Sequence, residues 1–364
     1  MSTTTTATGA HILAYTYPAS GHIIPLLDLT HQLLRRGLTV TVVVIPTNLP
    51  LLQPLVSLHP SSLHPLVLPA PEPPTPSWKS RMAKDQAMRD LHYPLLLNWF
   101  HSHVSPPIAI ISDFFLGWTH HLAKQLGLPR VVFSPSGASG LSVLFSLWRD
   151  LPKKEDPEDM DFQVLLPKIP NSPVYPWRQL PNQYKNCKEG DPDWEFSKSN
   201  TLDNFASWGL VVNSFTELER VYLDHLRTEL GHDRVWAVGP LLPLEDGVVG
   251  SSSRALEQSG VEFILCVRGL DERHVGVGDD RDQFTNAKLL VDQLGVGIRA
   301  GENIENIPEP SQLAHLLVES VSATRLERVR VKELSDAALG SIKGGSSDKD
   351  LDEFVERLPR CCQN

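Results

Sequence analysis

AHILAYTYPASGHIIPLLDLTHQLLRRGLTVTVVVIP, residues 10–46, decides the fold class, because it predicts a strand, a helix and a second strand in succession. Its first apolar run (10–18) ends in a proline, and its last (38–46) is β-branched and nearly all apolar, as strands buried on both faces are. The segment between them places one apolar face on a helix, formed by Ile23, Leu26, Leu27, Thr30, Leu33 and Leu34. Such a strand–helix–strand unit is almost always parallel and right-handed.

The same pattern recurs twice before residue 240. The predicted strand, helix and strand are 107–115, 117–127 and 129–137, and then 208–214, 215–230 and 234–240. Residues 1–240 are therefore predicted to form one α/β domain with a doubly wound parallel sheet. A proline-rich loop (65–78) and an irregular polar stretch (151–200) interrupt the pattern. They are predicted either to line a ligand cleft or to be variable surface loops.

The pattern weakens after residue 240. Residues 241–254 have the composition of a linker, and 262–267 predict one strand. Residues 270–299 predict a loop, a helix and a short strand, and two or three helices close the chain. The segment 241–364 thus has few strands for a second doubly wound domain.

Composition excludes several classes of function. The chain has 364 residues with a net charge of −10, so it lacks the basic surface that neutralises nucleic-acid phosphates. Its four cysteines have neither metal-ligand nor disulfide-framework spacing. No apolar run approaches the roughly 20 residues that span a bilayer, and the first residues lack the features of a signal peptide. We expect a cytoplasmic monomer without a membrane span.

His22 and Asp113 are the candidate catalytic residues. Ligands bind open α/β sheets at the carboxyl ends of the strands, and His22 follows the first strand while Asp113 ends the strand of residues 107–115. An aspartate that accepts a proton from one imidazole nitrogen leaves the other nitrogen free to act as a general base. The alternative is that each residue merely caps a helix. The glycine fingerprint of a dinucleotide fold is absent, which argues against a nicotinamide oxidoreductase.

Three other motifs are weak. DPD (191–193) has the Asp-x-Asp shape of metal-dependent sugar transferases, but it lies in a predicted loop. DDRD (279–282) suggests a cation site, yet its arginine is more typical of a solvated loop. SGASG (136–140) misses the spacing of the serine nucleophile elbow.

These residues lie in segments that resemble plant family-1 UDP-glycosyltransferases of the flavonoid and phenolic branch. The segments are YPASGHIIPLLDLTHQLLRRG, ISDFFLGWTHHLAKQLGLPRVVFSPSGA, VVNSFTELE, WAVGPLLP, DQFTNAKLLVDQLGVGIRAGE and GGSSDKDLDEFVERL. The resemblance covers about residues 8–240 and 251–358, and it is the sum of the matches that is specific.

The resemblance implies a GT-B fold with two facing Rossmann-like domains. Residues 1–240 would bind the acceptor, and 241–364 would be a truncated UDP-sugar-binding domain with C-terminal helices. His22 would deprotonate a phenolic acceptor hydroxyl, with Asp113 as its charge partner, and the sugar would be transferred with inversion. UDP-glucose is the default donor, with UDP-xylose or UDP-rhamnose as alternatives, and no metal or other cofactor is implied.

The family's donor-binding box is largely missing. It begins with Trp-Ala-Pro-Gln, continues through His-Cys-Gly-Trp-Asn-Ser and a glutamate, and ends in an acidic residue followed by glutamine. Only the final pair is present, as Asp282-Gln283, which the resemblance assigns to the donor sugar. Where many relatives offer a threonine to the sugar, this chain has Ser134-Pro135-Ser136, so Ser136 is a weaker donor-sugar candidate.

The strand that normally opens the second domain of the family, expected between Pro243 and residues 251–263, is also absent. Two such internal gaps are typical of skipped exons or a mis-assembled gene model. They leave a second prediction open, a catalytically dead protein that keeps the acceptor cleft and lacks the donor site. Poor folding after residue 240 is a third, because a sheet that loses strands exposes unpaired edges.

Overall fold

A computed structural model gives the structure, and it describes residues 9–71, 78–186, 188–242, 285–299, 309–320, 322 and 325–358. Within these residues the centre of the fold is a parallel sheet of seven strands in the order β3-β2-β1-β4-β5-β8-β9. The strands are β1 (His11–Tyr15), β2 (Thr39–Val44), β3 (Leu63–Val67), β4 (Ile110–Asp113), β5 (Arg130–Ser134), β8 (Gly209–Val212) and β9 (Val235–Ala237). A two-stranded antiparallel hairpin, β6 (Gln163–Leu165) with β7 (Val174–Pro176), lies outside it.

The order of the strands confirms the doubly wound prediction. β1 pairs with β2 on one side and with β4 on the other, both in parallel. The chain thus winds outward from β1 in both directions, and the point of reversal lies between β1 and β4. His22 and Asp113 follow or end these two strands.

Helices cover both faces of the sheet. They are α1 (Ser20–Arg35), α2 (Leu49–Leu58), α3 (Trp78–Ser102), α4 (Thr119–Leu126), α5 (Ala138–Asp150), α6 (Asn182–Asn186), α7 (Pro192–Phe205) and α8 (Thr216–Leu230). Successive strand residues point to opposite faces. In β2, Val42 accordingly packs in the core under α1 and α2, and Val43 packs in the core under α3 and α4.

The end of the chain returns to this sheet. A π-helix (Lys288–Gln293) is followed by α9 (Pro310–Ser320), α10 (Leu326–Ser341) and α11 (Ser346–Arg357). The buried face of α11 joins the same core as α1, and the Phe354 ring lies 5.0 Å from the ring of Trp236 in β9. Asp350 accepts a 2.8 Å hydrogen bond from the backbone N–H of Ala237. The last helix therefore completes the layer on one face of the first sheet.

Three local predictions were wrong. The proline-rich segment 65–78 is not all loop, because β3 extends through Pro65 to Val67 and α3 begins at Trp78. Proline is tolerated in β3 because β3 is an edge strand. The polar stretch 151–200 contains the hairpin, α6 and most of α7.

The third wrong prediction is the short strand at the end of the segment 270–299. Residues 295–299 have no assigned strand in the structure. The predicted strand 262–267 and the DDRD loop (279–282) lie outside the described residues.

Candidate active site

His22 lies in the first turn of α1, where its side chain reaches the carboxyl edge of the sheet. Its Nδ1 atom is 2.8 Å from Oδ2 of Asp113, which closes β4. Asp113 is fully buried, whereas the His22 side chain is 16% exposed. The histidine can thus meet a ligand that its partner cannot reach.

Asp113 makes two contacts at once. While Oδ2 faces His22, Oδ1 accepts a 2.8 Å hydrogen bond from the backbone N–H of Phe115. The capping role that the sequence offered as an alternative and the partner role therefore coexist in one side chain. Because a carboxylate only accepts hydrogen bonds, Nδ1 of His22 carries the proton, which in the neutral imidazole leaves the lone pair on Nε2.

Three aromatic rings surround the imidazole. Phe115 lies 4.5 Å from it, Tyr17 lies 5.3 Å away edge-on, and Phe114 stacks at 5.7 Å. Packing of this kind restricts rotation of the imidazole about its side-chain bonds. The rings and Asp113 together fix the direction in which Nε2 points.

A cleft of about 660 Å³, counting its open mouth, adjoins His22. This size is typical of a small-molecule site. Its lining is mainly apolar and comprises His22, Phe114, Phe115, Ser136, Gly140, Leu141, Val143, Leu144, Tyr175, Gln179, Leu180, Pro181 and Thr285. Such a lining suits a largely apolar ligand with a few polar groups.

Tyr175 and Thr285 are lining residues that the sequence did not single out. Burial raises the pKa of Tyr175 to about 12, and a hydrogen bond from the Thr285 side chain acts in the opposite direction. Tyr175 comes from the hairpin, and Thr285 comes from the segment just before the π-helix. Neither segment has a periodic pattern that places it at the sheet edge.

The segment after Thr285 packs against the α/β unit of residues 9–242. Leu289 is buried in the core beneath α5 and α8. Gln293 accepts hydrogen bonds from the hydroxyl of Tyr222 (2.6 Å) and from the amide of Asn171 (3.2 Å). The segment that begins at Thr285 is therefore anchored beside the His22 cleft.

The predicted donor-sugar residues have different outcomes. Ser136 lines the cleft with His22, and its backbone carbonyl accepts a 2.9 Å hydrogen bond from the Ser134 hydroxyl. Asp282 and Gln283 lie outside the described residues, so their role stays a prediction. Thr285, two positions after Gln283 in the sequence, is the described residue of that segment that reaches the cleft.

The DPD motif (191–193) begins a helix and is not in a loop as predicted. Asp191 is the N-cap of α7, Pro192 occupies its first turn, and Asp193 accepts a hydrogen bond from Gln86. Among the described residues, no group of histidine, cysteine and acidic side chains is arranged to hold a metal ion. No described helix is long and apolar enough to cross a membrane. The cytoplasmic location and monomeric state stay predictions.

Comparison with known proteins identifies the family. No family model matches the chain. UDP-glycosyltransferase 89B2 of Stevia rebaudiana is 40% identical over 463 aligned positions, covering 96% of this chain and 98% of the relative. Flavonol 3-O-glucosyltransferase UGT89B1 of Arabidopsis thaliana is 38% identical, covering 96% of both. The chain belongs to the plant UDP-glycosyltransferases.

Solved structures of plant UDP-glycosyltransferases match the fold as well. Arabidopsis thaliana UGT89C1 in complex with UDP-L-rhamnose aligns with a TM-score of 0.72 at 26% identity, covering 97% of this chain and 100% of that one. The same enzyme in complex with quercetin aligns with a TM-score of 0.71. The predicted α/β class and GT-B fold are confirmed, as is the prediction of a glycosyltransferase enzyme that uses a UDP-sugar.

The comparison also measures what is missing. The alignment with the Stevia relative runs over 463 positions, whereas the chain has 364 residues, so roughly a hundred positions have no counterpart here. Because the chain still covers 98% of that relative, these positions lie largely within the matched region. That the gaps fall in the donor-binding box stays a prediction.

Proposed function

We propose that the chain transfers glucose from UDP-glucose to a phenolic hydroxyl of a flavonoid, with inversion at the anomeric carbon. The observation that carries the proposal is the 2.8 Å contact between His22 and Asp113 at the wall of an aromatic-lined cleft. A buried carboxylate behind a partly exposed imidazole is the arrangement that a general base needs.

The reaction follows from the position of the Nε2 lone pair. Nε2 of His22 takes the proton of the acceptor hydroxyl, and the phenolic oxygen attacks the anomeric carbon of the sugar. The bond between that carbon and the UDP oxygen breaks on the opposite face, and UDP leaves with the electron pair. Asp113 stabilises the imidazolium that forms until the proton is lost to water. A positioned general base contributes about 10²–10⁴-fold to the rate.

The docked segment after Gln283 supports transfer rather than binding alone. Thr285 lines the cleft, and Leu289 and Gln293 anchor the following turn to the acceptor half. We infer from the family resemblance that Asp282 and Gln283, just before this segment in the sequence, contact the sugar hydroxyls. Ser136 is a second candidate for the sugar, because it lines the same cleft. The proposal requires no metal, since His22 and the leaving UDP account for each proton and bond.

The test is product formation from UDP-glucose and quercetin, followed by mass spectrometry and by NMR of the anomeric proton. We expect a quercetin glucoside with a β linkage, since UDP-glucose is an α-glycoside. Asp113→Asn should lower the rate, because the amide no longer stabilises the imidazolium. An α-linked product, or an Asp113→Asn rate equal to that of the wild type, would contradict the mechanism.

A second candidate function is acceptor binding without transfer. The observation that favours it is the roughly hundred aligned positions without a counterpart in this chain. Calorimetry separates the two functions, because a transferase binds UDP as well as quercetin. Quercetin binding by a chain that shows neither UDP binding nor turnover would establish the second function.

A further inference from the structure

Arg130 is a buried cation beneath the candidate base. It begins β5, and only 1% of its surface is exposed. No carboxylate lies within salt-bridge distance of it in the part of the chain that the structure describes. An arginine in such a position normally needs acceptors for all five of its N–H groups.

Each nitrogen of the guanidinium has such an acceptor. Nε donates to the Ser112 hydroxyl at 2.8 Å. Nη1 donates to the side-chain oxygens of Asn204 and Ser207, both at 2.8 Å. Nη2 donates to the backbone carbonyls of Asp113 and Leu116, both at 3.3 Å. The guanidinium thus joins the end of β4 to the C-terminal end of α7.

The two carbonyls bound by Nη2 bracket the turn that aims Asp113. Residues 114–116 form this short 3₁₀ turn, and Asp113 caps it through the N–H of Phe115. If the bracket opens, both Asp113 and the Phe114 and Phe115 rings beside His22 are free to move. A displacement of about 1 Å at a catalytic group can cost on the order of 10²-fold in rate.

Arg130 also places a positive charge near Asp113 and Asp203. Burial lowers the pKa of Arg130 to about 9, while Asp203 and Asp113 act to raise it. The guanidinium is therefore charged at pH 7. The other titratable groups around Arg130 are His120 and His121, which face Asp203.

We propose that Arg130 is a positioning residue for the His22–Asp113 pair, holding the 113–116 turn so that Asp113 fixes the proton of His22 on Nδ1. This rests on the proposed function of His22 as the base, and it names the group that sets the protonation pattern of that base.

The test is the tautomer of His22, read from its imidazole ¹⁵N chemical shifts in the whole chain at a pH about two units above the ordinary imidazole pKa. In the wild type we expect the proton on Nδ1. In Arg130→Met we expect a mixture with the Nε2–H form, and on the order of a 10²-fold lower kcat with little change in KM. Arg234→Met is the matched control, because Arg234 bonds to and stacks on Trp208 instead. It should leave the tautomer unchanged.

A folded Arg130→Met variant with His22 still protonated on Nδ1 would overturn the inference. If Arg130→Met does not fold, Arg130→Lys decides, because a lysine keeps the charge but does not hold both carbonyls with one planar fork. It should give the same mixed tautomer, and an unchanged tautomer would again overturn the inference.

The outcome is separable from that of the proposed function. A wild-type chain without turnover, whose tautomer nevertheless shifts in Arg130→Met, would refute the transferase proposal and support the role of Arg130. If the wild-type chain shows turnover but its His22 carries the proton on Nε2, the role of Arg130 is refuted while the transferase proposal stands.

Discussion

Replacing Phe354 by alanine should destabilise the α/β unit of residues 9–242, although Phe354 follows that unit by more than a hundred residues in the sequence. Its side chain is fully buried against Trp236, in a core shared with Leu351, Val355 and Leu358. This contact is the basis for a specific proposal about the domains. We propose that α11 belongs structurally with residues 1–240 and not with the rest of the segment 241–364.

The magnitude follows from the complete burial of the ring. Phenylalanine-to-alanine changes at buried sites cost about 3–5 kcal/mol, because the lost transfer free energy adds to that of the cavity left behind. The facing Trp236 is itself only 1% exposed and packed in the same core, so little mobile structure is available to fill the cavity. A loss near the upper end of the range would remove a large part of a typical stability of about 5–15 kcal/mol.

The assay is urea unfolding followed by tryptophan fluorescence. Quercetin binding is a second readout, which reports on the folding of residues 9–242. The control is Glu356→Ala on the exposed face of the same helix, which should change stability by less than about 0.5 kcal/mol. If Phe354→Ala unfolds at the same urea concentration as Glu356→Ala, α11 does not contribute to the core of residues 9–242. The proposal that α11 belongs with residues 1–240 would then be wrong.

Three further predictions concern single side chains. Burial raises the pKa of Asp28 to about 6, so the contribution of its protonated form to stability is present below about pH 4 and is lost as the pH rises through about 6. The melting temperature of Asp28→Asn should therefore rise relative to that of the wild type between pH 4 and pH 6. A difference between the two melting temperatures that stays constant over this range would contradict the prediction. The Glu219 carboxylate accepts hydrogen bonds from the backbone N–H groups of Ala138 (2.9 Å) and Ser139 (2.8 Å) at the start of α5. Glu219→Gln turns one acceptor into a donor and should lower the free energy of unfolding by about 1–3 kcal/mol, measured by chemical denaturation. An unchanged denaturation midpoint would contradict the capping role of Glu219. Thr285→Val removes the hydrogen bond to Tyr175 in the cleft. The variant should bind quercetin roughly 2- to 12-fold more weakly in a fluorescence titration. Equal affinities of the variant and the wild type would contradict the prediction.

The sequence predicted the central sheet because its strands are short, apolar and followed by amphipathic helices. It missed β3, because Pro65 interrupts the apolar pattern and such a strand is tolerated only at an edge. It also missed α3, whose apolar residues do not follow one helical face and whose interior contains Pro94. Both elements depend on tertiary contacts that a local pattern does not contain.

The candidate base pair was predictable for a geometric reason. His22 and Asp113 both follow or end parallel strands, and parallel strands end at one edge of a sheet. Tyr175, Thr285 and Arg130 were not predictable in this way. Tyr175 and Thr285 reach the cleft from irregular segments, and Arg130 acts from inside the sheet through backbone carbonyls that have no sequence signature.

The most direct test of the central claim is the initial rate of UDP release by the purified chain with UDP-glucose and quercetin, compared with that of His22→Ala. The proposed mechanism predicts measurable release in the wild type and a loss of about 10²–10⁴-fold in the variant, since a positioned general base contributes that much. Equal rates in the two proteins would contradict the role of His22. A folded wild type that binds quercetin and releases no UDP would contradict the proposed glucosyl transfer.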